Sequence, residues 1–363
     1  MDHRQEGSDP ELVARIREEI LASPDRRIPF ARFMARALTE PGLGYYATSR
    51  ERPTRGGDFL TAPELHPFFG RLVGRQIDEV WWRMDEPARF VVREYGAGLG
   101  TLERTVRAGL AADGSRLADA LDWEPVDVGT GTPVAPVTGA VVANEFLDAL
   151  PVHRVVVRGG VLLERYVAWR YGWFVEEEGP PSTPRLASLL KLDGVRLAEG
   201  QAADVGLAAV DWSEQLGAQL ARGIALVIDY GHPADELYGP RRMAGTLMTY
   251  RNHQVGDDPF AYVGRQDLTA HVDVTAVDRA VRASGLIALG QTTQAQFVTS
   301  MGLGGLLDTL GHDPSTDAQA YLLARSSVTR LLDPRYLGGF KVLAWGRGIG
   351  ADPPLRGFAG RGG

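Results

Sequence analysis

Three glycines and an acid stand close together in the stretch REYGAGLGTL, which covers residues 93–102 of a 363-residue chain. The acid is Glu94, and the glycines after it are Gly96, Gly98 and Gly100. Glycine lets the main chain approach a ligand because it has no Cβ. A dinucleotide site requires G-x-G-x-x-G to receive pyrophosphate, and here the last position of that pattern is threonine. The spacing is closer to a turn that packs against an uncharged nucleoside with an amino-acid tail, whose ammonium Glu94 could bind. A strand-to-helix turn without a ligand is the alternative.

Three carboxylates follow predicted buried strands and could act on a substrate. The strand AVVANEF (140–146) leads to Glu145 and Asp148, and the strand IALVIDYG leads to Asp229. Parallel α/β sheets bind ligands at the carboxyl ends of their strands, and a carboxylate there can orient an arginine guanidinium in a bidentate pair. For Glu145 and Asp148 the alternative is a capping or salt-bridge role at a turn, and for Asp229 it is a structural turn with Gly231. Asn144 either packs near a cofactor or holds this turn.

A loop before a predicted helix, GDFLTAPE (57–64), carries a further acid, Asp58. One interpretation is a lid over a cofactor or substrate. The other is purely local, since Thr61 and Glu64 have the spacing of a capping box. His153 follows DALPV and could be a general base, although a local hydrogen bond is the more common role. The seven histidines show no metal-ligand spacing, so we expect no metal site.

The elements that would position these residues alternate between short apolar strands and helices. RFVVREYG is a strand, the glycine turn follows, and TLERTVRAGLAA is a helix, which together form the first half of a βαβ unit. The pattern predicts an α/β fold with a mostly parallel sheet. We expect an N-terminal helical region over 1–85, a core over 86–348 with an insertion at about 155–210, and a disordered tail over 349–363.

Composition excludes several classes of protein. The net charge is −7 and no Lys/Arg-rich run occurs, so nucleic-acid binding is not indicated. There is no cysteine, which excludes disulfides, thiolate metal sites and a cysteine nucleophile. The charged N-terminus lacks an apolar signal core, and no apolar run is long enough to span a membrane. We therefore expect a cytoplasmic protein without a membrane segment.

Six segments occur in an order that resembles the MidA family of S-adenosylmethionine (SAM)-dependent methyltransferases. They are LTEPGLGYY (38–46), GDFLTAPELHPFFG (57–70), VVANEFLDALPVHR (141–154), DYGHPADELYGPRRMAGTLMTYRNH (229–253), RQDLTAHVD (265–273) and FKVLAWG (340–346). The resemblance extends from about residue 28 to residue 346. It implies a Rossmann-like class I methyltransferase core with an N-terminal helical region and an inserted lobe. It also implies SAM as the cofactor and a protein arginine as the methyl acceptor.

The same resemblance implies roles for individual residues. Cofactor contacts are implied for residues of the glycine motif, the ANEF motif and the GDF motif, namely Glu94, Gly96, Gly98, Gly100, Asn144 and Asp58. In Rossmann folds an acid after the second strand binds the ribose hydroxyls, and here that acid is Asp127, with Glu124 as the second choice. Family members usually carry a helix before ANEF, and the segment LDWEPVDVGTGTPVAPVTG shows none.

The sequence thus predicts a SAM-dependent methyltransferase in which Glu145, with Asp148 or Asp229, holds a guanidinium, and positioning supplies much of the catalysis. The shortened segment before ANEF motivates an alternative, a methyltransferase-derived scaffold that binds a partner protein without turnover. A third interpretation keeps the chemistry but transfers the methyl group to a small molecule or a peptide. The number of methyl groups and the oligomeric state stay open, and a homodimer is one option.

Overall fold

A computed structural model describes residues 7–48, 61–131, 133–252 and 254–360 of the chain. The helices in these ranges are α1 (Pro10–Ala22), α2 (Phe30–Thr39), α3 (Tyr45–Thr48), α4 (Ala62–Leu65), α5 (Phe68–Arg83), α6 (Thr101–Ala112), α7 (Leu117–Ala120), α8 (Arg185–Leu192), α9 (Leu207–Gln219), α10 (Ala234–Leu237), α11 (Val274–Ala283), α12 (Gln294–Ser300), α13 (Leu303–His312) and α14 (Ala318–Leu332). The strands are β1 (Arg27–Pro29), β2 (Phe90–Tyr95), β3 (Leu121–Val126), β4 (Val137–Asn144), β5 (His153–Arg158), β6 (Val161–Arg170), β7 (Trp173–Gly179), β8 (Ala202–Val205), β9 (Leu220–Asp229), β10 (Gly231–His232), β11 (Met248–Arg251), β12 (Gln254–Gly256), β13 (Asp267–Thr269), β14 (Val272–Asp273), β15 (Ile287–Thr293) and β16 (Lys341–Arg347).

The described residues form two compact units, each named here after its largest sheet. The six-stranded unit comprises residues 61–131, 133–146, 214–230 and 281–360, and the five-stranded unit comprises 7–48, 147–213, 231–252 and 254–280. This division differs from the predicted boundary at residue 85. Helix α5 was assigned to the N-terminal region, but its apolar face, including Leu72 and Ile77, packs into the core of the six-stranded unit.

The sheet of the six-stranded unit has the strand order β15-β16-β9-β4-β2-β3. Strands β9, β4, β2 and β3 run parallel to one another, whereas β16 is antiparallel to both β9 and β15. Strand β2 is buried along its whole length, as expected for a parallel strand covered on both faces. Helices α5 and α6 contribute side chains such as Phe69 and Val106 to the core around it. The predicted α/β fold with a mostly parallel sheet is confirmed.

Strand β2 lies at the point where the direction of the chain reverses across the sheet. From β2 the chain passes through α6 to β3, and it then returns past β2 to reach β4 on the other side. Within residues 127–131 and 133–136 this return contains no helix, in agreement with the sequence. The parallel strands end at one edge of the sheet. Open α/β sheets bind ligands at such a switch point, so this edge is where a site is expected.

The five-stranded unit contains an antiparallel sheet in the order β1-β6-β5-β8, with β7 added to β6. Helices α1 and α2, which lie in the predicted N-terminal helical region, pack their buried side chains into this unit. The rings of Phe33 and Phe174 meet edge to face at 5.2 Å. The insertion predicted at about 155–210 contains α8 and β8 in addition to most of β5, β6 and β7.

The end of the chain also differs from the prediction of a disordered tail. Over residues 349–360 the chain packs against the six-stranded unit, and the side chains of Ile349 and Leu355 are buried. The ring of Phe358 lies 5.9 Å from that of Phe297, and the Gly357 amide donates to Gln76 Oε1 at 3.0 Å. These contacts are distant in sequence, which is why composition alone suggested disorder.

Candidate functional site

The glycine turn follows β2 at the switch point and has an open surface. Gly96, Gly98 and Gly100 have φ values of +70°, +52° and +67°, a region that favours glycine. A Cβ at Gly98 would find its nearest neighbour 3.9 Å away, and one at Gly100 would meet nothing within 4 Å. Space therefore lies directly against the bare main chain. This is the arrangement needed for a ligand that packs on backbone.

Asp127 braces the glycine turn from the end of β3. Its Oδ2 atom accepts a hydrogen bond from the Gly98 amide at 2.9 Å, and its own amide donates to Thr130 Oγ1 at 2.7 Å. The Gly96 amide also donates to the Val126 carbonyl at 2.9 Å. Asp127 is only half-buried, and a carboxylate has about four lone-pair sites. It can therefore accept from ribose hydroxyls while it holds the turn.

Glu124, the second choice for the ribose, is engaged elsewhere. Its Oε2 atom accepts from Arg93 Nη2 at 2.8 Å, and the same guanidinium donates to the Ala135 carbonyl at 2.8 Å. The Arg93 side chain is only 2% exposed, and Glu124 provides the carboxylate that such a buried guanidinium requires. Asp127 is therefore the better placed of the two acids.

Glu94 lies at the carboxyl end of β2 and is buried. Its Oε2 atom accepts from Trp123 Nε1 at 2.9 Å. The pKa of the Glu94 carboxyl is raised to about 7, mainly by burial; the tryptophan hydrogen bond lowers this pKa, and the nearby carboxylates of Glu103 and Asp127 raise it to a smaller extent. Glu94 consequently changes its charge near neutral pH, and a cationic ligand group would favour its ionised form.

Glu145 follows β4 with a left-handed φ of +50°, and its amide donates to the Ile228 carbonyl at 2.9 Å. Its Oε1 atom accepts from the Ala62 amide at 2.9 Å and from Asn144 Nδ2 at 3.0 Å. The other carboxylate oxygen, Oε2, is buried and has no hydrogen-bond partner in the described part of the chain. The same holds for Asn144 Oδ1. Buried polar atoms without partners are costly, so a ligand that donates here would be stabilised.

The surroundings of Glu145 favour its neutral form in the absence of a ligand. The pKa of the Glu145 carboxyl is raised to about 8, mainly by burial and to a smaller extent by the neighbouring Asp229 and Glu64. The hydrogen bonds from Ala62 and Asn144 act in the opposite direction. A cation that approached Oε2 would lower this pKa and ionise the carboxyl.

Asp229, at the end of β9, is 3% exposed and closes the turn after β4. Its Oδ2 atom accepts from the Phe146 amide at 3.1 Å, and its Oδ1 atom accepts from the Tyr230 amide at 2.8 Å. The structure thus brings Asn144, Glu145 and Asp229 together at one sheet edge. Both carboxylate oxygens of Asp229 accept from backbone amides there, and its role toward a substrate stays a prediction.

Other predicted site residues do not belong to the described part of the six-stranded unit. Asp148 and His153 belong to the five-stranded unit. The Asp148 carbonyl accepts from the Ala270 amide at 2.9 Å, and His153 Nδ1 lies 2.7 Å from the buried carboxylate of Glu164. The local role predicted as the more common one for a histidine thus describes His153. Asp58 lies outside the described residues.

Two contributors were not identified from the sequence, the Ala62 amide and the Trp123 indole. Ala62 belongs to the GDFLTAPE motif, so the motif was the available signal, but a backbone donor leaves no trace in residue type. A cavity of about 1060 Å³ in the six-stranded unit is lined by other residues, among them Trp82, Arg116 and Pro353.

Comparison with known proteins assigns the chain to a family. A family model described as "Putative S-adenosyl-L-methionine-dependent methyltransferase" matches residues 103–292, which is 190 of the 363 residues. The chain belongs to this family. Together with its arginine methyltransferase relatives, this confirms the resemblance to the MidA family of SAM-dependent methyltransferases.

Solved structures confirm the fold and the cofactor. A crystal structure of a protein from Burkholderia thailandensis bound to S-adenosyl-homocysteine is 34% identical, covers 96% of this chain and 94% of its own, and has a TM-score of 0.85. A native crystal structure from the same organism gives a TM-score of 0.82 at 34% identity, with the same coverage. The protein is therefore a SAM-dependent methyltransferase with a class I core.

Curated relatives add names and correct one prediction. "Protein arginine methyltransferase NDUFAF7 homolog, mitochondrial" from Drosophila melanogaster is 29% identical over 95% of this chain and 87% of its own length. The Homo sapiens protein of the same kind is 26% identical over 86% and 78%. These relatives are named as mitochondrial proteins, and this finding overturns the cytoplasmic location predicted from the sequence. In the described residues, no helix combines the length and apolar character needed to cross a bilayer.

Proposed function

We propose that this methyltransferase modifies an arginine guanidinium of a protein and that Glu145 holds that group. The observation that carries the proposal is the buried Oε2 atom of Glu145, which has no partner among the described residues and lies after β4 at the switch point. An N–H of a guanidinium would satisfy this oxygen with a charge-assisted hydrogen bond. The names of the curated relatives support arginine as the acceptor.

The residues proposed to bind SAM are chosen because their positions and chemical groups suit the parts of that cofactor. We propose that the main chain at Gly98 and Gly100 forms the floor of the cofactor site, because a Cβ at either position would enter open space. Asp127 would bind the ribose hydroxyls, and Glu94 would bind the ammonium of the amino-acid tail. Asn144 would contact the cofactor or hold the turn beside it. When bound, SAM supplies an electrophilic methyl group on a positively charged sulfur.

The chain's own contribution is mainly positioning. A guanidinium carries a proton at neutral pH, so it must be held and must lose a proton at some stage. Glu145 can do both, because its raised pKa of about 8 makes its carboxylate a stronger base than an ordinary glutamate. Asp229 would keep the turn in place through the Phe146 amide and would add negative potential. Asp148 stays a candidate from the sequence.

The test measures methylarginine directly. The enzyme is incubated with labelled SAM and two peptide libraries that differ only in a central arginine or lysine. A protein extract from cells that lack the enzyme serves as a third acceptor. Acid hydrolysis and mass spectrometry should then find methylarginine in the arginine library or in the extract.

A matched pair of variants isolates Glu145. Glu145→Gln should reduce methylarginine about 100-fold, because it removes charge at the reacting group. Glu86→Gln is the control, since Glu86 also has a left-handed φ, +54°, but pairs at the surface with Arg116. Methylation of lysine or of a small molecule, with no methylarginine in any arm, would contradict the proposal.

A further inference from the structure

Helix α4 begins with only one half of the capping box that its sequence predicts. The Thr61 backbone donates to the Glu64 carboxyl, but the Thr61 side chain makes no capping hydrogen bond, and the Glu64 amide donates to the Thr61 carbonyl at 3.0 Å. The first amide of the helix, that of Ala62, donates instead to Glu145 Oε1, 83 residues further along the chain. Glu145 thus takes the place of a helix-capping side chain, because the first amides of a helix have no partner within it.

We propose that the Ala62 amide and the Asn144 side chain are positioning groups that hold Glu145 through Oε1 and reserve Oε2 for the methyl acceptor. The inference rests on the proposed function of Glu145. It replaces the bidentate pair expected from the sequence with a single contact, since one carboxylate oxygen already receives two donors. The acceptor would therefore meet an oxygen whose direction is set before binding.

The donors are suited to this role because both are fixed. Ala62 is fully buried in the core of the six-stranded unit, and Asn144 is 9% exposed at the end of β4. The Glu145 backbone is held by its hydrogen bond to Ile228 and by its left-handed turn. A glutamate that is held both at its backbone and at one carboxylate oxygen loses little further conformational freedom when a substrate binds. More of the binding energy is therefore available to align the substrate.

Among the described residues, the charged groups that act on Glu145 are Asp229 at the end of β9 and Glu64 on α4, and both oppose its ionisation. The two donated hydrogen bonds oppose this effect by stabilising the ionised form. Their removal should consequently raise the pH at which Glu145 becomes a carboxylate. The pKa of Glu145 is therefore a measurable quantity that the loss of a purely structural contact would leave unchanged.

The experiment removes each donor separately. Ala62→Pro deletes the amide hydrogen at the first helical position, where proline is tolerated, and Ala62→Ser is the control that keeps it. Asn144→Leu deletes the second donor at similar volume. Carboxyl carbons are followed by NMR in the full chain labelled at the glutamate side-chain carboxyl. The Glu145 signal is identified as the one missing in Glu145→Gln.

The midpoint of the Glu145 titration should rise by about one unit in Ala62→Pro and in Asn144→Leu, and it should be unchanged in Ala62→Ser. With the arginine library, kcat/KM at pH 7 should fall about tenfold in both deletion variants and should recover at pH 10, once Glu145 is ionised. Far-UV circular dichroism and a cooperative urea unfolding transition confirm that each variant is folded.

The outcomes separate the two proposals. An unchanged Glu145 midpoint in folded variants would overturn the positioning role, whatever the acceptor is. If Ala62→Pro does not fold, Asn144→Leu decides the question by the same criterion. A raised midpoint together with no methylarginine in any arm would keep the positioning of Glu145 but reject arginine as the acceptor. A fall in kcat/KM that is equal at every pH would also contradict the positioning role.

Discussion

Replacement of Glu145 by glutamine should stabilise the protein increasingly as the pH rises. Glutamine has the shape of a protonated glutamate, so its carbonyl oxygen can accept from the Ala62 amide and Asn144 Nδ2 as Oε1 does now. Glutamine has no carboxyl proton, so it stays uncharged over the whole pH range. In the wild-type chain the buried carboxyl must ionise above its raised pKa, and that ionisation is costly in this environment.

The magnitude follows from linkage between protonation and folding. The pKa of Glu145 is about 8 in the folded chain, against an ordinary value of 4.5. Between these values the folded state binds one proton more than the unfolded state, so wild-type stability decreases as the pH rises through this window. A difference of roughly 3.5 units at about 1.4 kcal/mol per unit gives about 5 kcal/mol as the upper limit. The difference between variant and wild type should be near zero at pH 4.5 and complete above pH 8.

The assay is urea unfolding followed by tryptophan fluorescence at pH 5, 7 and 9. The free energy of unfolding of Glu145→Gln is compared with that of the wild type at each pH, since all other titrating groups are shared. Glu86→Gln, whose side chain is ion-paired at the surface, should show no such trend. A stability difference that stays constant from pH 5 to pH 9 would refute the reasoning, because it would mean that Glu145 does not carry a raised pKa.

Two further predictions concern the cofactor site, and calorimetric titration with S-adenosyl-homocysteine tests both. Because Glu94 has a pKa of about 7, its ionised fraction rises about tenfold from pH 6 to pH 8, and the affinity for the ligand's ammonium should rise with it. In Glu94→Gln this pH dependence should disappear. A rise in affinity in the variant that parallels the wild type would count against the contact between Glu94 and the ammonium. Asp127→Ala should weaken binding by about 2 kcal/mol, or roughly thirtyfold, since it removes both the brace on the Gly98 amide and the ribose acceptor. Asp122→Ala is the control on the same strand, where the carboxylate pairs with exposed Arg89, and an equal loss of affinity in both variants would argue against a specific role of Asp127.

Local patterns were sufficient to predict the elements that form the sheet edge. The strand, glycine turn and helix around Gly96 are as predicted, because alternation of apolar runs with helical periodicity is a local property. The position of Glu145 after a buried strand was equally visible, and so was the absence of a helix before β4. These features depend on residues that are close together in the sequence.

Long-range pairing could not be read from the sequence. Strand β1 pairs with β6 through Ile28 and Val167, so the first helices fold with a meander that begins more than a hundred residues later. The Ala62 contact to Glu145 has the same character, and it depends on a backbone amide rather than on a side chain. Helices α12 to α14, which have no motif, were also missed, although α12 begins with a capping box at Thr293.

The most direct test of the central claim is binding of S-adenosyl-homocysteine to two glycine variants by calorimetry. Gly98→Asp places a side chain in the space against the glycine turn and a charge beside Asp127. Gly114→Asp is the matched control, because Gly114 also has a left-handed φ, +66°, and open space around its Cα, but it lies after α6. We predict saturable binding by the wild type and Gly114→Asp, and about a hundredfold weaker binding, roughly 3 kcal/mol, by Gly98→Asp. Equal affinity of the two variants would contradict the assignment of this turn as the cofactor site.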